Sequence, residues 1–343
     1  MIFHQIATER GCQSYLVGCA DTCVAVIIDP EVHEIERYLG LAAQNGLRIR
    51  YLLDTHTHAD HFSGADELAA ELQVPVIMHR NSPSPYVGMR VDDGEIVKLG
   101  HLALNILYTP GHTSDSMCVL VENRVFTGDT LLIGGTGRTD LPTGSAGQLY
   151  DSLFHKLLLL DAQIKVYPAH IYGEKKYSTI GEEIANNKRL QVSERDEFID
   201  MMQSLSLTMP EHLSEALRTN LSGSKTVDQM ISAAAQRVSF MSQEEILRRI
   251  QGEEPGITLL DVREGEAFRC GHIPGALSIP RGQLELRVDE LLPDPTARIV
   301  VYCQFGKIST LATATLRDMG FTRAIAMAQG MEDWLQKGYP TNL

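Results

Sequence analysis

The stretch Thr55-His56-Thr57-His58-Ala59-Asp60-His61 places three imidazoles and a carboxylate in seven positions, directly after the apolar run Tyr51-Leu52-Leu53. A hydrophobic core has no use for that density of titratable groups. Neutral imidazole and carboxylate are the ordinary ligands of zinc and iron, and alternate residues of an extended segment, here His56, His58 and Asp60, point the same way. The stretch predicts a metal site at the end of a strand.

The surrounding pattern supplies more such loops. Residues 12 to 30 alternate and then run apolar to Asp29-Pro30, as in a hairpin, and Glu31 to Gln44 has helical apolar spacing ending at Asn45-Gly46. After the histidines, Ser63 and Asp66 stand where an N-cap and a first-turn acid belong, ahead of a helix through Leu72. Short strands follow at Val74 to Met78, Ile96-Val97, Leu102 to Tyr108, Met117 to Val121, Arg124 to Phe126 and Lys165 to Pro168. Three turns beside these strands carry one candidate ligand each: His112 in Gly111-His112-Thr113, Asp129 in Gly128-Asp129-Thr130, and His170 in Pro168-Ala169-His170.

At 343 residues the chain suits two domains. A net charge of -14 with no basic run argues against nucleic acid or an anionic membrane as partner. The six cysteines have no metal-finger spacing and read as reduced thiols, Cys12, Cys19 and Cys23 among them as buried strand residues. Met1 to Arg10 holds no long apolar stretch, and nowhere do about eighteen apolar residues run together, so a cytoplasmic protein is expected.

The quoted loops, in that order, resemble the metallo-β-lactamase superfamily over about residues 1 to 220, which implies an αββα sandwich with the metal between sheet edges. Within it, Gly134-Gly135-Thr136-Gly137-Arg138-Thr139-Asp140, Ala169-His170-Ile171-Tyr172 and Asn187-Lys188-Arg189 are similar to the persulfide dioxygenases, with Lys188 where that family carries proline. The resemblance implies one Fe(II) per chain on His56, His112 and Asp129. His58, Asp60, His61 and His170 become orienting groups, and Arg138, Tyr172 and Arg189 candidate contacts for substrate.

The second half carries its own signature. Ile257 to Glu264, Gly271-His272-Ile273-Pro274-Gly275-Ala276, Arg298 to Cys303, and Gly330 to Trp334 alternate strand and helix patterns around a small parallel sheet. They resemble a rhodanese domain over residues 241–343, with 221–240 expected as linker and Ser242 to Ile250 as an entry helix. Cys303 opens the loop Gln304-Phe305-Gly306-Lys307-Ile308-Ser309 ahead of a helix, where inward amides favour a thiolate and bind an anionic sulfur species. Rhodaneses often carry arginine where this loop has Gln304 and Ile308, which weakens the case for thiosulfate. Arg263 and His272 read as structural.

The fold expected is α/β: an N-terminal αββα sandwich and a C-terminal α/β domain with a small parallel sheet. The function implied is Fe(II)-dependent oxidation of glutathione persulfide by O2 to sulfite and glutathione, coupled to sulfur transfer between persulfide and sulfite or thiosulfate through Cys303. A homo-oligomer, a dimer first, is expected. The alternative is a binuclear zinc thioester hydrolase of the glyoxalase II kind with a rhodanese sensor or docking domain.

Overall fold

The structure, a computed structural model, describes residues 1–8, 11–192, 194–205, 213–223, 225–252 and 256–343. It divides into two compact units, Met1–Ser224 and Lys225–Leu343. Among the described residues no helix is long and apolar enough to cross a membrane.

In the first unit, β1 (Ile2–Ala7), β2 (Gln13–Cys19), β3 (Val24–Ile28), β4 (Arg48–Leu53), β5 (Val76–His79) and β6 (Val87–Val91) form one sheet in sequence order. Its first two pairings are antiparallel, as the expected hairpin requires, and the rest are parallel. Helices α1 (Ile35–Gln44) and α2 (Ala65–Leu72) provide the crossovers on its outer face, packing on Leu16, Ile27, Leu52 and Val76.

A second sheet is built from β7 (Ile96–Leu99), β8 (Leu102–Tyr108), β9 (Met117–Val121), β10 (Arg124–Gly128), β13 (Lys165–Pro168) and β14 (Ser178–Thr179), with the small hairpin β11 (Leu131–Leu132) and β12 (Gly135–Thr136) beside it. Tyr15, Val17, Val26, Leu53 and Ile77 of the first sheet meet Leu104, Ile106, Met117, Val119 and Phe126 of the second in the central core. Helices α3 (Ala146–Phe154), α4 (Ile180–Asn186) and α5 (Arg195–Gln203) cover the second sheet through Leu149, Leu153, Ile180 and Phe198. The unit is therefore an αββα sandwich, each sheet burying both faces. It continues to α6 (Leu213–Ser222). Met209-Pro210, expected to begin this tail, lies outside the described residues, as do Ser193 and Ser224.

The second unit opens with α7 (Val227–Arg237), inside the stretch expected as linker. Its Ala234, with Val238, packs on Leu311, Ala314 and Ala326. The parallel sheet runs β15 (Phe240–Met241), β19 (Ile325–Met327), β18 (Ile299–Tyr302), β16 (Thr258–Asp261), β17 (Leu277–Ser278). Around it stand the expected entry helix α8 (Gln243–Ile250), which Ser242 caps, α9 (Gly265–Arg269), α10 (Leu284–Leu291), α11 (Lys307–Asp318) and α12 (Met331–Gln336).

Candidate metal centre and cysteine loop

Strand β4 ends at Leu53 and delivers Asp54 to His61 into a buried loop. The loop is fixed from β3: Asp29, held at φ +50, accepts the Thr55 amide at 2.7 Å and the Thr55 hydroxyl at 2.9 Å. Because that hydroxyl donates to Asp29, its oxygen accepts from His56 Nδ1 at 3.0 Å. His56 Nε2 is then a bare lone pair, and it is buried with no hydrogen-bond partner among the described residues. Gly128, at φ +50, lies so close that a Cβ there would collide with Thr55 Oγ1.

The loops after β8 and β10 bring in two further donors. His112 Nδ1 stands 2.9 Å from the Arg138 carbonyl, which can only accept, so Nδ1 carries the proton and Nε2 is free to ligate. That Nε2 lies 3.6 Å from Asp129 Oδ2. Ligand atoms of His56, His112 and Asp129 all fall within 4.8 Å of one another. Burial, reinforced by the charges of His58 and His112, pushes His56 down to about 3, which keeps its ring neutral. Burial opposes ionisation of Asp129, but the charge and hydrogen bond of His170 hold its carboxyl below the usual range. Two neutral imidazoles and one carboxylate, with a buried lone pair left unpartnered, fit a divalent transition metal.

The remaining motif residues face elsewhere. His58 turns its Nε2 to Asp29 at 3.2 Å and groups with Asp29 and Asp54. His170 links carboxylates, with Nδ1 2.7 Å from Asp129 and Nε2 2.6 Å from Asp60. His61 Nδ1 lies 3.3 Å from Asp60. The expected Ser63 cap is displaced by one position: Gly64 is the N-cap of α2, while Ser63 accepts the Ala65 amide and donates to Asp54 at 2.7 Å. Asp60 and Asp129 keep 28% and 12% of their side chains exposed while the loop histidines keep 1–2%, so the pocket opens on the carboxylate side.

In the second unit Cys303 follows β18. Its buried Sγ accepts the amides of Gly306 and Ser309, each at 3.2 Å, and lies 3.4 Å from Ser309 Oγ. Gly306, at φ +88, makes the turn into α11, where a Cβ would stand 2.7 Å from the Gln329 carbonyl oxygen. Two convergent amides at a helix start form a cradle for an anionic sulfur.

Residues 7–170 match the metallo-beta-lactamase superfamily and residues 242–337 the rhodanese-like domain. The mitochondrial persulfide dioxygenase ETHE1 of Homo sapiens is 34% identical over 61% of this chain and 82% of its own length. The chain belongs to the metallo-beta-lactamase superfamily, alongside the persulfide dioxygenases. ETHE1 from Myxococcus xanthus superposes with a TM-score of 0.63 at 39% identity, covering 64% of this chain and 98% of its own. A metallo-beta-lactamase from Staphylococcus aureus, at 25% identity and TM-score 0.61, covers 96% of this chain and 98% of its own. The hydroxyacylglutathione hydrolase of Pseudoalteromonas translucida is 36% identical over 57% of this chain and 74% of its own length.

Of the expected substrate contacts in this dioxygenase-related unit, Tyr172 is exposed and stacks 6.1 Å from the His170 ring at the open side. Arg138 pairs through two nitrogens with Asp140 at 2.6 and 2.7 Å, and Arg189 donates to the Thr136 carbonyl at 2.7 Å. Both guanidiniums thus brace the glycine-rich loop that carries the Arg138 carbonyl to His112.

Several residues of the pocket carry no motif. Cys12, read as an ordinary strand thiol, sits among Asp60, His61 and His170, with Sγ 3.5 Å from His170 Nε2 and 3.6 Å from His61 Nδ1. Burial raises its pKa, but hydrogen bonds and charge from His170 and His61 bring it down to about 7. Asp115 accepts the Thr57 amide and hydroxyl. Asn220 of α6 donates to the carbonyls of His58 and His61 at 2.8 and 2.9 Å and accepts the Ser63 amide.

Proposed function

We propose that the chain oxidises glutathione persulfide with O2 at one Fe(II), and moves sulfane sulfur through Cys303. The overall oxidation is persulfide plus O2 plus water to glutathione and sulfite with two protons. The observation that carries it is the convergence of His56, His112 and Asp129, with the His56 Nε2 lone pair buried and unpartnered and His58 turned away to Asp29. A ferrous ion held there supplies reactivity toward dioxygen that protein side chains lack.

The chain's own groups do the rest. Thr55 and the Arg138 carbonyl fix the tautomers of His56 and His112, and His170 steadies Asp129. The buried histidine side excludes water, and the persulfide enters on the exposed side beside Tyr172. Tyr172 is the first candidate to contact the thiol's peptide portion, with Arg138 and Arg189 as further candidates once their present partners exchange. Cys303 relays sulfur between persulfide and sulfite or thiosulfate. The reduced thiols suit a cytoplasmic location, and a dimer is the assembly to test by light scattering.

Anaerobic iron loading, metal analysis and oxygen uptake with glutathione persulfide test the reading. About one iron per chain and uptake are expected; iron-loaded protein without uptake overturns it. A second reading, a binuclear zinc thioester hydrolase, is favoured by the second ligand group of Cys12, Asp60, His61 and His170 and by the hydrolase relative. Two zincs with thioester cleavage would support it.

A further inference from the structure

The cradle around Cys303 is anionic-sulfur binding at its centre, and the cations near its loop are matched by carboxylates. The loop's one cation, Lys307, is exposed and pairs with Asp228 at 3.5 Å. Arg263, read from sequence as structural, reaches the loop by donating to Gln304 Oε1 at 3.3 Å. Its charge is already matched: it holds the buried Asp261 through Nε at 3.0 Å and a terminal nitrogen at 2.7 Å, and donates to the Gly271 carbonyl at 2.7 Å. Phe305 and Ile308 each immediately precede an amide that holds the sulfur, and they are 67% and 50% exposed.

From these observations we infer that Cys303 is built to take its sulfur from an alkyl persulfide, with Phe305 and Ile308 as the specificity-determining residues, and that it discriminates against thiosulfate. The inference rests on the reading of Cys303 as a sulfur carrier.

In the transfer, the Cys303 thiolate attacks the outer sulfur of RSSH. The new Sγ–S bond forms as the RS–S bond breaks, and the persulfide proton goes to the leaving thiolate as RSH. The products are Cys303 persulfide anion and thiol, with a single negative charge before and after. Two amides and the start of a twelve-residue helix, worth about half a charge, suffice for that one anionic sulfur. Attack on thiosulfate brings two further negative charges into the same space and expels sulfite, which demands cations aimed at the sulfonate oxygens. The rim instead presents apolar surface, which suits the carbon stem of a thiol.

The test uses the full chain, with sulfur on Cys303 located by peptide mass after alkylation. Glutathione persulfide is expected to load Cys303 at least about tenfold faster than thiosulfate at equal concentration. Ile308→Arg, and independently Gln304→Arg should the first variant misfold, are expected to raise thiosulfate loading about tenfold and to lower the persulfide preference. Phe305→Ser is expected to slow persulfide loading more than it slows thiosulfate loading. Equal loading of the wild type by both donors overturns the inference, as does thiosulfate loading that neither arginine raises. If neither donor loads Cys303 while thiosulfate and persulfide both load other cysteines, the carrier reading itself fails and takes the inference with it.

Discussion

In the histidine pocket the working atoms belong to side chains from several loops, each oriented by another side chain: Asp29 holds Thr55, Thr55 holds His56, and His170 holds Asp129. Around Cys303 the working atoms are mainly backbone amides of one turn. The pocket concentrates lone pairs that a metal can use, and every ligand depends on its neighbours. The loop concentrates N–H dipoles, and its side chains are left to select the donor.

The two deletions with the largest expected effects follow from that contrast. His56→Ala should abolish iron binding and lower oxygen uptake by more than the roughly hundredfold that loss of an outer partner costs, as read by metal analysis and an oxygen electrode. Cys303→Ser should abolish sulfur loading at that position while leaving oxygen uptake with glutathione persulfide within about a factor of two of wild type. A Cys303→Ser protein that lost oxygen uptake as well would show that the two sites act as one.

Asn220 is the next test, because it ties the histidine loop to α6 through side-chain bonds alone. Asn220→Ala leaves two buried carbonyls and an amide without partners, and a loss of about 2–4 kcal/mol in urea unfolding is expected. Iron affinity should fall roughly ten- to hundredfold with it. Unchanged affinity would mean that the loop keeps its shape without α6.

How much of this was legible depends on the range over which each signal acts. The dense histidine loop and the turns at His112, Asp129 and His170 carry residue types that a core rejects, at strand ends, and they stand out one by one. Cys12 does not, because its partners His170 and Asp60 are 158 and 48 residues away, and its own neighbourhood looks like buried strand. Asp29 reads as half of an Asp-Pro turn, although its carboxylate anchors Thr55. The edge strand β6 alternates exposure with Gly88 inside it and gave too little apolar contrast to be placed, while α7, in a helix-like stretch read as linker, packs through Ala234 against alanines and so joins the second unit.

Cys118 serves as a thiol with neither kind of support. Buried on β9 beside Thr109 and Thr127, it is pushed up to about 12, first by burial, whereas the imidazoles beside Cys12 bring that thiol down to about 7. With its folded pKa raised from 9.0, the folded chain holds this proton after the unfolded chain has released it. The stability that contributes is complete below pH 9 and is lost as pH rises toward about 12, at about 1.4 kcal/mol per pH unit within that window. In urea unfolding at pH 9 to 11, Cys118→Ala should lose stability with pH less steeply than wild type by that slope; parallel slopes would remove burial as the dominant influence.

The smallest expected effects come from removing one hydroxyl at each site, and they test the contrast most directly. Thr55→Ala deletes the group between Asp29 and His56, so the His56 ring loses the acceptor that fixes its tautomer, and iron affinity should fall about tenfold. Ser309→Ala removes an oxygen 3.4 Å from Cys303 Sγ and a bond to the Gly306 carbonyl, but both amides that hold the sulfur remain. Its effect on persulfide loading should stay under about fivefold, near the middle of what one neutral hydrogen bond contributes. A Ser309→Ala loss larger than that of Thr55→Ala would mean that the hydroxyl, not the backbone, carries the cradle, and the loop would then be a side-chain site like the pocket.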